Sequence, residues 1–134
     1  MRVLKRIVEI LAELFGVGKE NIYDEIQTGR LQEVLPKIKR KLNSIITNGN
    51  YSWAYVGRTS NVNRRISQHK SERGKFDSVY VIYKTQSFEY VKRVENGIIE
   101  YLKEGKKINL LNKSSGSPGP KGKPPYYVYV AFRG

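Results

Sequence analysis

Apolar positions recur at spacings of three and four over residues 3–15, where Val3, Leu4, Ile7, Val8, Leu11, Leu14 and Phe15 form one stripe. This pattern predicts an amphipathic helix, and Gly16 and Gly18 mark its end. The same spacing returns over residues 31–46 in Leu31, Val34, Leu35, Ile38, Leu42, Ile45 and Ile46, with Lys37, Lys39, Arg40 and Lys41 on much of the opposite face. Pro36 falls early enough in that stretch to be tolerated near a first turn. The turn signal Thr47-Asn48-Gly49-Asn50 then separates the two helices from the rest of the chain.

The period changes at Tyr51. Tyr51, Trp53 and Tyr55 alternate with Ser52, Ala54 and Val56 as far as Gly57, which predicts a strand. Residues 60–73 read as helix, with Ser60 or Asn61 as cap, Val62 and Ile66 one turn apart, and Gly74 as the stop. Residues 78–85 predict a second strand. Ser87 caps a further helix with the stripe Val91, Val94, Ile98 and Leu102, ending at Gly105. A Pro/Gly/Lys loop from Lys113 to Pro125 precedes the aromatic run 126–132, a strand expected to return to the sheet begun earlier, because an isolated strand is unstable. The expected fold class is α+β, a small antiparallel or mixed sheet of about three strands flanked by helices. Residues 1–47 are expected to form a helical extension, and residues 48–134 the main domain with its loop at 113–125 and terminal strand at 126–132.

Composition narrows the chemistry. The 134 residues contain no cysteine and one histidine, which excludes disulfides, thiolate zinc sites and multi-histidine metal cages. A metal would therefore rest on oxygen ligands. The basic, apolar start is interrupted by Glu9 and Glu13 and no small-residue cleavage site comes after it, so it reads as a helix rather than a signal peptide, and an intracellular location (cytoplasmic or nucleus-associated) is expected. The formal net charge is +13, and it is uneven: residues 1–50 carry 9 basic and 6 acidic side chains, residues 51–134 carry 16 and 6. Such a field attracts polyanions, with nucleic acid expected as partner ahead of any membrane.

The stretch from Tyr55 to His69 reduces to Tyr-x-Gly, then Arg65 ten positions after the tyrosine, then His69 four further on. With Glu95 in RVENGIIEYL and Asn112 in KINLLNKSSG, it resembles the GIY-YIG nuclease family over about residues 48–134. Tyr55-Val56-Gly57 is similar to that family's second signature; Arg65, His69, Glu95 and Asn112 stand where its arginine, histidine, metal-binding glutamate and terminal asparagine come. The first signature, Gly-Ile-Tyr, is absent: its expected place, near Ser44, holds no tyrosine. Tyr51 is the nearest substitute in sequence. Tyr127 and Tyr129 are the candidates if the C-terminal strand takes the place of the missing one, an option that gives the long loop a structural purpose.

The resemblance implies a divalent-metal-dependent endonuclease that hydrolyses DNA phosphodiesters. In that reading Tyr55 is the general base or orients it, and its phenol, with a free pKa of about 10, needs nearby cations such as Arg58, Arg65 and the metal. His69 is the competing base, closer to neutrality. Arg65 offers a planar fork to phosphate oxygens. Glu95 holds Mg²⁺ or Mn²⁺, completed by waters and phosphate, while Gly57 and Asn112 order the site. Arg58, Arg64, Lys70, Lys113, Lys121 and Lys123 are the cations expected along the nucleic acid. Glu95 lies at the margin of a buried stripe and needs a cation in any case, which Arg93 or a lysine could supply as a structural ion pair. The alternative is a nucleic-acid-binding module on the same fold without catalysis.

Overall fold

The computed structural model describes residues 3, 5–60, 75–112 and 122–134. Three helices and a five-stranded mixed sheet occur among them: α1 (Lys5–Phe15), β1 (Ile22–Asp24), α2 (Leu31–Gly49), β2 (Trp53–Ser60), β3 (Ser78–Thr85), α3 (Phe88–Gly105), β4 (Asn109–Leu110) and β5 (Tyr126–Arg133). The sheet order is β1-β3-β5-β2-β4. The expected α+β class holds. Its three long strands are antiparallel neighbours, and two short strands add parallel edges, β1 on β3 and β4 on β2.

The last strand is the central one. β5 pairs with β2 along its whole length, Trp53 opposite Arg133 through Ser60 opposite Tyr126, and with β3 on its other side. Helices cover both faces of the sheet, so every residue from Tyr126 to Phe132 is buried, and the run reads as continuously apolar and aromatic rather than alternating. On one face Ala54, Val56, Val128, Val130 and Phe132 pack against Val34, Ile38 and Leu42 of α2 and Val91, Val94 and Ile98 of α3. On the other, Val79, Val81, Tyr127, Tyr129 and Ala131 pack against Ile7, Leu11 and Phe15 of α1.

α2 begins at Leu31 as expected and runs past Ile46 to Gly49, with Pro36 inside it. Asn50 closes it in the left-handed conformation, φ 60°. α3 starts where its cap is read in the sequence: the Tyr90 N–H donates to Ser87 Oγ at 3.1 Å. The expected helix at 60–73 lies outside the described residues.

One irregularity changes which side chains share a face. Between Val81 and Tyr83 the register of β3 on β5 shifts, so that Tyr83 stands opposite Val128 and Lys84 opposite Tyr127. Ile82 and Tyr83 both enter the α2/α3 core. The bulge thereby turns Lys84 to the α1 face; uninterrupted alternation would have left it on the side of Tyr80 and Ile82.

Candidate functional site

β2 carries the Tyr-Val-Gly signature, and alternation divides it. Ala54, Val56 and Arg58 face α2 and α3, whereas Tyr55, Gly57 and Thr59 face α1. Tyr55 packs by Phe15, with ring centroids 6.1 Å apart. Arg58 reaches α3: its Nη1 lies 2.6 Å from Glu95 Oε1, and the two side chains are 10% and 3% exposed. The cation that the buried carboxylate requires is thus Arg58. Arg93 pairs instead with Glu89 one helical turn away, at 2.7 Å on the surface. Phe88, a residue with no signal in the sequence pattern, lies under the Arg58 guanidinium at 5.4 Å.

Burial raises the Glu95 pKa, and Arg58 pulls it back down without cancelling that rise. Arg58 faces away from Tyr55, so it is not the cation beside that phenol. Among the described residues no three His, Cys, Asp or Glu side chains form a group able to hold a metal. Glu95 is a lone carboxylate with one oxygen on Arg58, a donor set that fits only an ion content with one protein carboxylate and otherwise water and phosphate, as Mg²⁺ is.

Tyr129 of β5 lies against Gly57. The two residues are register partners, and a Cβ at Gly57 would stand 2.5 Å from Tyr129 Cζ, so glycine is required there by the phenol that crosses it. Tyr55 and Tyr129 therefore share the α1 face, and Tyr127 continues it opposite Thr59. Tyr51 does not join them. It stacks on Phe132 at 5.0 Å on the other face, and its phenol oxygen accepts from Ser78 Oγ at 2.6 Å. The Tyr51 phenol also bonds to Tyr80, which, with burial as the larger cause, pushes the Tyr80 phenol up.

Asn112 closes the open side of β2. β4 pairs only with Trp53 and Ala54; beyond it, the Val56 N–H donates to Asn112 Oδ1 at 2.9 Å and the Asn112 amide donates to Val56 O at 2.8 Å. One side chain extends the ladder by a residue. Past Val56 no strand covers this edge among the described residues, which leaves Tyr55 on one face and the Arg58–Glu95 pair on the other, flanking the same edge.

Arg64, Arg65, His69, Lys70, Lys113 and Lys121 lie outside the described residues, while Lys123 is exposed just before β5. Three cations of α2 are engaged locally. Lys37 Nζ donates to Thr28 O at 2.9 Å, Lys41 pairs with Glu25 at 3.2 Å, and Lys39 lies over the Tyr101 ring at 5.3 Å. No described helix is long and apolar enough to cross a membrane.

The site thus defines a small α+β domain built on a tyrosine-bearing strand edge, with one buried carboxylate on the helix behind it. Residues 45–115, more than half of the chain, match the T5orf172 domain, and the protein belongs to that family. This domain occurs in phage-type and homing-endonuclease-like proteins. No curated protein and no solved structure matches the chain.

Proposed function

We propose that this chain is a divalent-metal-dependent endonuclease acting on DNA, of GIY-YIG type, with β5 standing in for the missing first-signature strand. The observation that carries the reading is Tyr129 against Gly57: it sets a second tyrosine beside Tyr55 on the Tyr-Val-Gly strand, which the resemblance requires and the upstream sequence lacks. The family supports a nuclease or DNA-binding role in the coarser sense. In this reading the phosphodiester lies along the open edge of β2. Tyr55 and Tyr129 orient the attacking water, and Tyr55 or His69 takes its proton. Arg65 holds the phosphate oxygens on which charge grows, and Asn112 keeps the edge at Val56 in register. Glu95 would hold Mg²⁺ or Mn²⁺, whose chemistry there is charge neutralisation at the phosphate. The cations of the +13 chain bring the polyanion to the site.

A second reading, a nucleic-acid-binding module without catalysis, draws on the buried Arg58–Glu95 pair, since a carboxylate 3% exposed and bonded to a guanidinium also serves as a structural ion pair. Nicking of supercoiled plasmid with Mg²⁺, Mn²⁺ or chelator separates the two, with wild type compared to Glu95→Gln. The nuclease reading expects metal-dependent nicking that disappears in a folded Glu95→Gln protein. DNA binding without nicking in either protein selects the binding module.

A further inference from the structure

The β3 bulge brings a lysine to the phenol face that neither the sequence pattern nor the family signature marks. Lys84, Tyr127 and Thr59 form one row across β3, β5 and β2. The Lys84 ammonium lies 5.8 Å from the centroid of the Tyr127 ring, so its stem leans from β3 over that ring of the central strand. At the far end of the row, Thr59 is 8% exposed, and its buried Oγ1 has no hydrogen-bond partner among the described residues. A buried hydroxyl without a partner costs free energy comparable to a lost hydrogen bond, and a bound acceptor would remove that cost. The next row along the same face holds Tyr129 and Gly57.

We propose that Lys84 and Thr59 form a phosphate subsite for the nucleic-acid backbone, one strand row from Tyr129, with the ammonium neutralising one phosphate and the Thr59 hydroxyl donating to its oxygen. This rests on the nucleic-acid reading above and deepens it, because it names a positioning lysine that the signature residues do not include. Tyr127 is the platform: its ring, fully buried in the central strand, holds the ammonium by cation–π attraction and limits where the lysine can reach. The bulge is the structural device, since without it the cation would lie on the α2/α3 side of the sheet.

The test is the salt dependence of binding to a short duplex DNA at a series of NaCl concentrations between about 50 and 200 mM, where each neutralised phosphate contributes about 0.9 to the slope of log K against log [salt]. Lys84→Gln and Lys84→Met should both reduce the slope by about one such contact, and Lys84→Arg should retain it. Met keeps an apolar stem over Tyr127, so a merely structural lysine would lower the melting temperature in Gln and spare it in Met, with neither moving the slope. Thr59→Val should weaken binding several-fold with the slope unchanged. Lys103→Gln, at the distant end of α3, is the reference for loss of a surface charge. A wild-type slope in Lys84→Gln and Lys84→Met overturns the subsite while leaving the nuclease reading intact. Absence of salt-dependent binding by the wild-type protein overturns both.

Discussion

Asn112 bonds to both backbone groups of Val56, 56 positions earlier in the chain, at 2.9 and 2.8 Å. The amide is a side chain with a donor and an acceptor in the geometry of a peptide group, so it continues the β2 edge where β4 stops. Asn112→Asp retains an acceptor for the Val56 N–H and sets a carboxylate oxygen against Val56 O. Asn112→Ala leaves both groups to solvent. The expected loss is about 1–3 kcal/mol for either, larger for Asp than for Ala, in urea unfolding. Equal stability of wild type and both variants would remove Asn112 from its place on the edge.

The contact of Gly57 with Tyr129 predicts a coupling. Gly57→Ala forces a methyl against Cζ of the buried Tyr129 ring, 2.5 Å from the ideal Cβ position, and overpacking of this kind costs about 1–3 kcal/mol. Tyr129→Ala removes the obstacle at its own cost as a cavity. The double variant should therefore be less destabilised than the sum of the singles, by more than about 0.5 kcal/mol. Additive losses would mean that something other than the phenol requires the glycine.

Glu95 predicts a pH dependence with a definite sign. Burial raises its carboxyl above the ordinary range despite Arg58, so the folded state holds the proton more tightly than the unfolded chain does. Stability from that difference is complete below the unfolded pKa and is lost as pH rises through the folded one. The stability of wild type relative to Glu95→Gln should accordingly fall as pH climbs above the ordinary carboxyl range and then level off. Arg58→Met removes the pull downward, which extends the fall to higher pH; near neutrality it leaves a buried unpaired carboxylate and should cost about 3–5 kcal/mol. That cost should shrink in acid. A difference constant with pH would show that the carboxyl does not titrate differently on folding.

Much of this architecture is legible in the sequence because long periodic elements announce their faces. The stripe Val91, Val94, Ile98, Leu102 and the Ser87 cap locate α3, and the aromatic YYVYVAF run signals a strand that returns to the sheet. β1 and β4 are not legible, since three and two residues are too short to show a period and are recruited by their neighbours. The bulge at Ile82 is silent for another reason: SVYVIYKT reads as an unbroken strand, and only pairing with β5 reveals the extra residue. Of the site, Glu95's need for a cation is visible in its apolar surroundings. That the cation is Arg58, 37 positions away, depends on a strand placement that no local pattern encodes.

Three tyrosines are candidates for the phenol missing from the first signature, and their surroundings separate them. Tyr51 is engaged by Ser78 and Phe132 on the face opposite Tyr55. Tyr127 is fully buried beneath Lys84. Tyr129 alone pairs in register with Gly57, two positions from Tyr55 on the same face. If its phenol orients the attacking water, Tyr129→Phe keeps the ring that packs on Phe15, at 5.3 Å between centroids, and loses only the hydroxyl. Plasmid nicking should then fall by about 100-fold or more, the range that a positioned proton-transfer group contributes, with DNA binding and melting temperature close to wild type. Tyr51→Phe should nick at the wild-type rate, because its hydroxyl is used to hold Ser78 on the far side of the sheet. Reversal of that order, with Tyr51→Phe inactive and Tyr129→Phe active, would move the reacting phenol to the α2/α3 face and discard the strand substitution on which the proposed function rests.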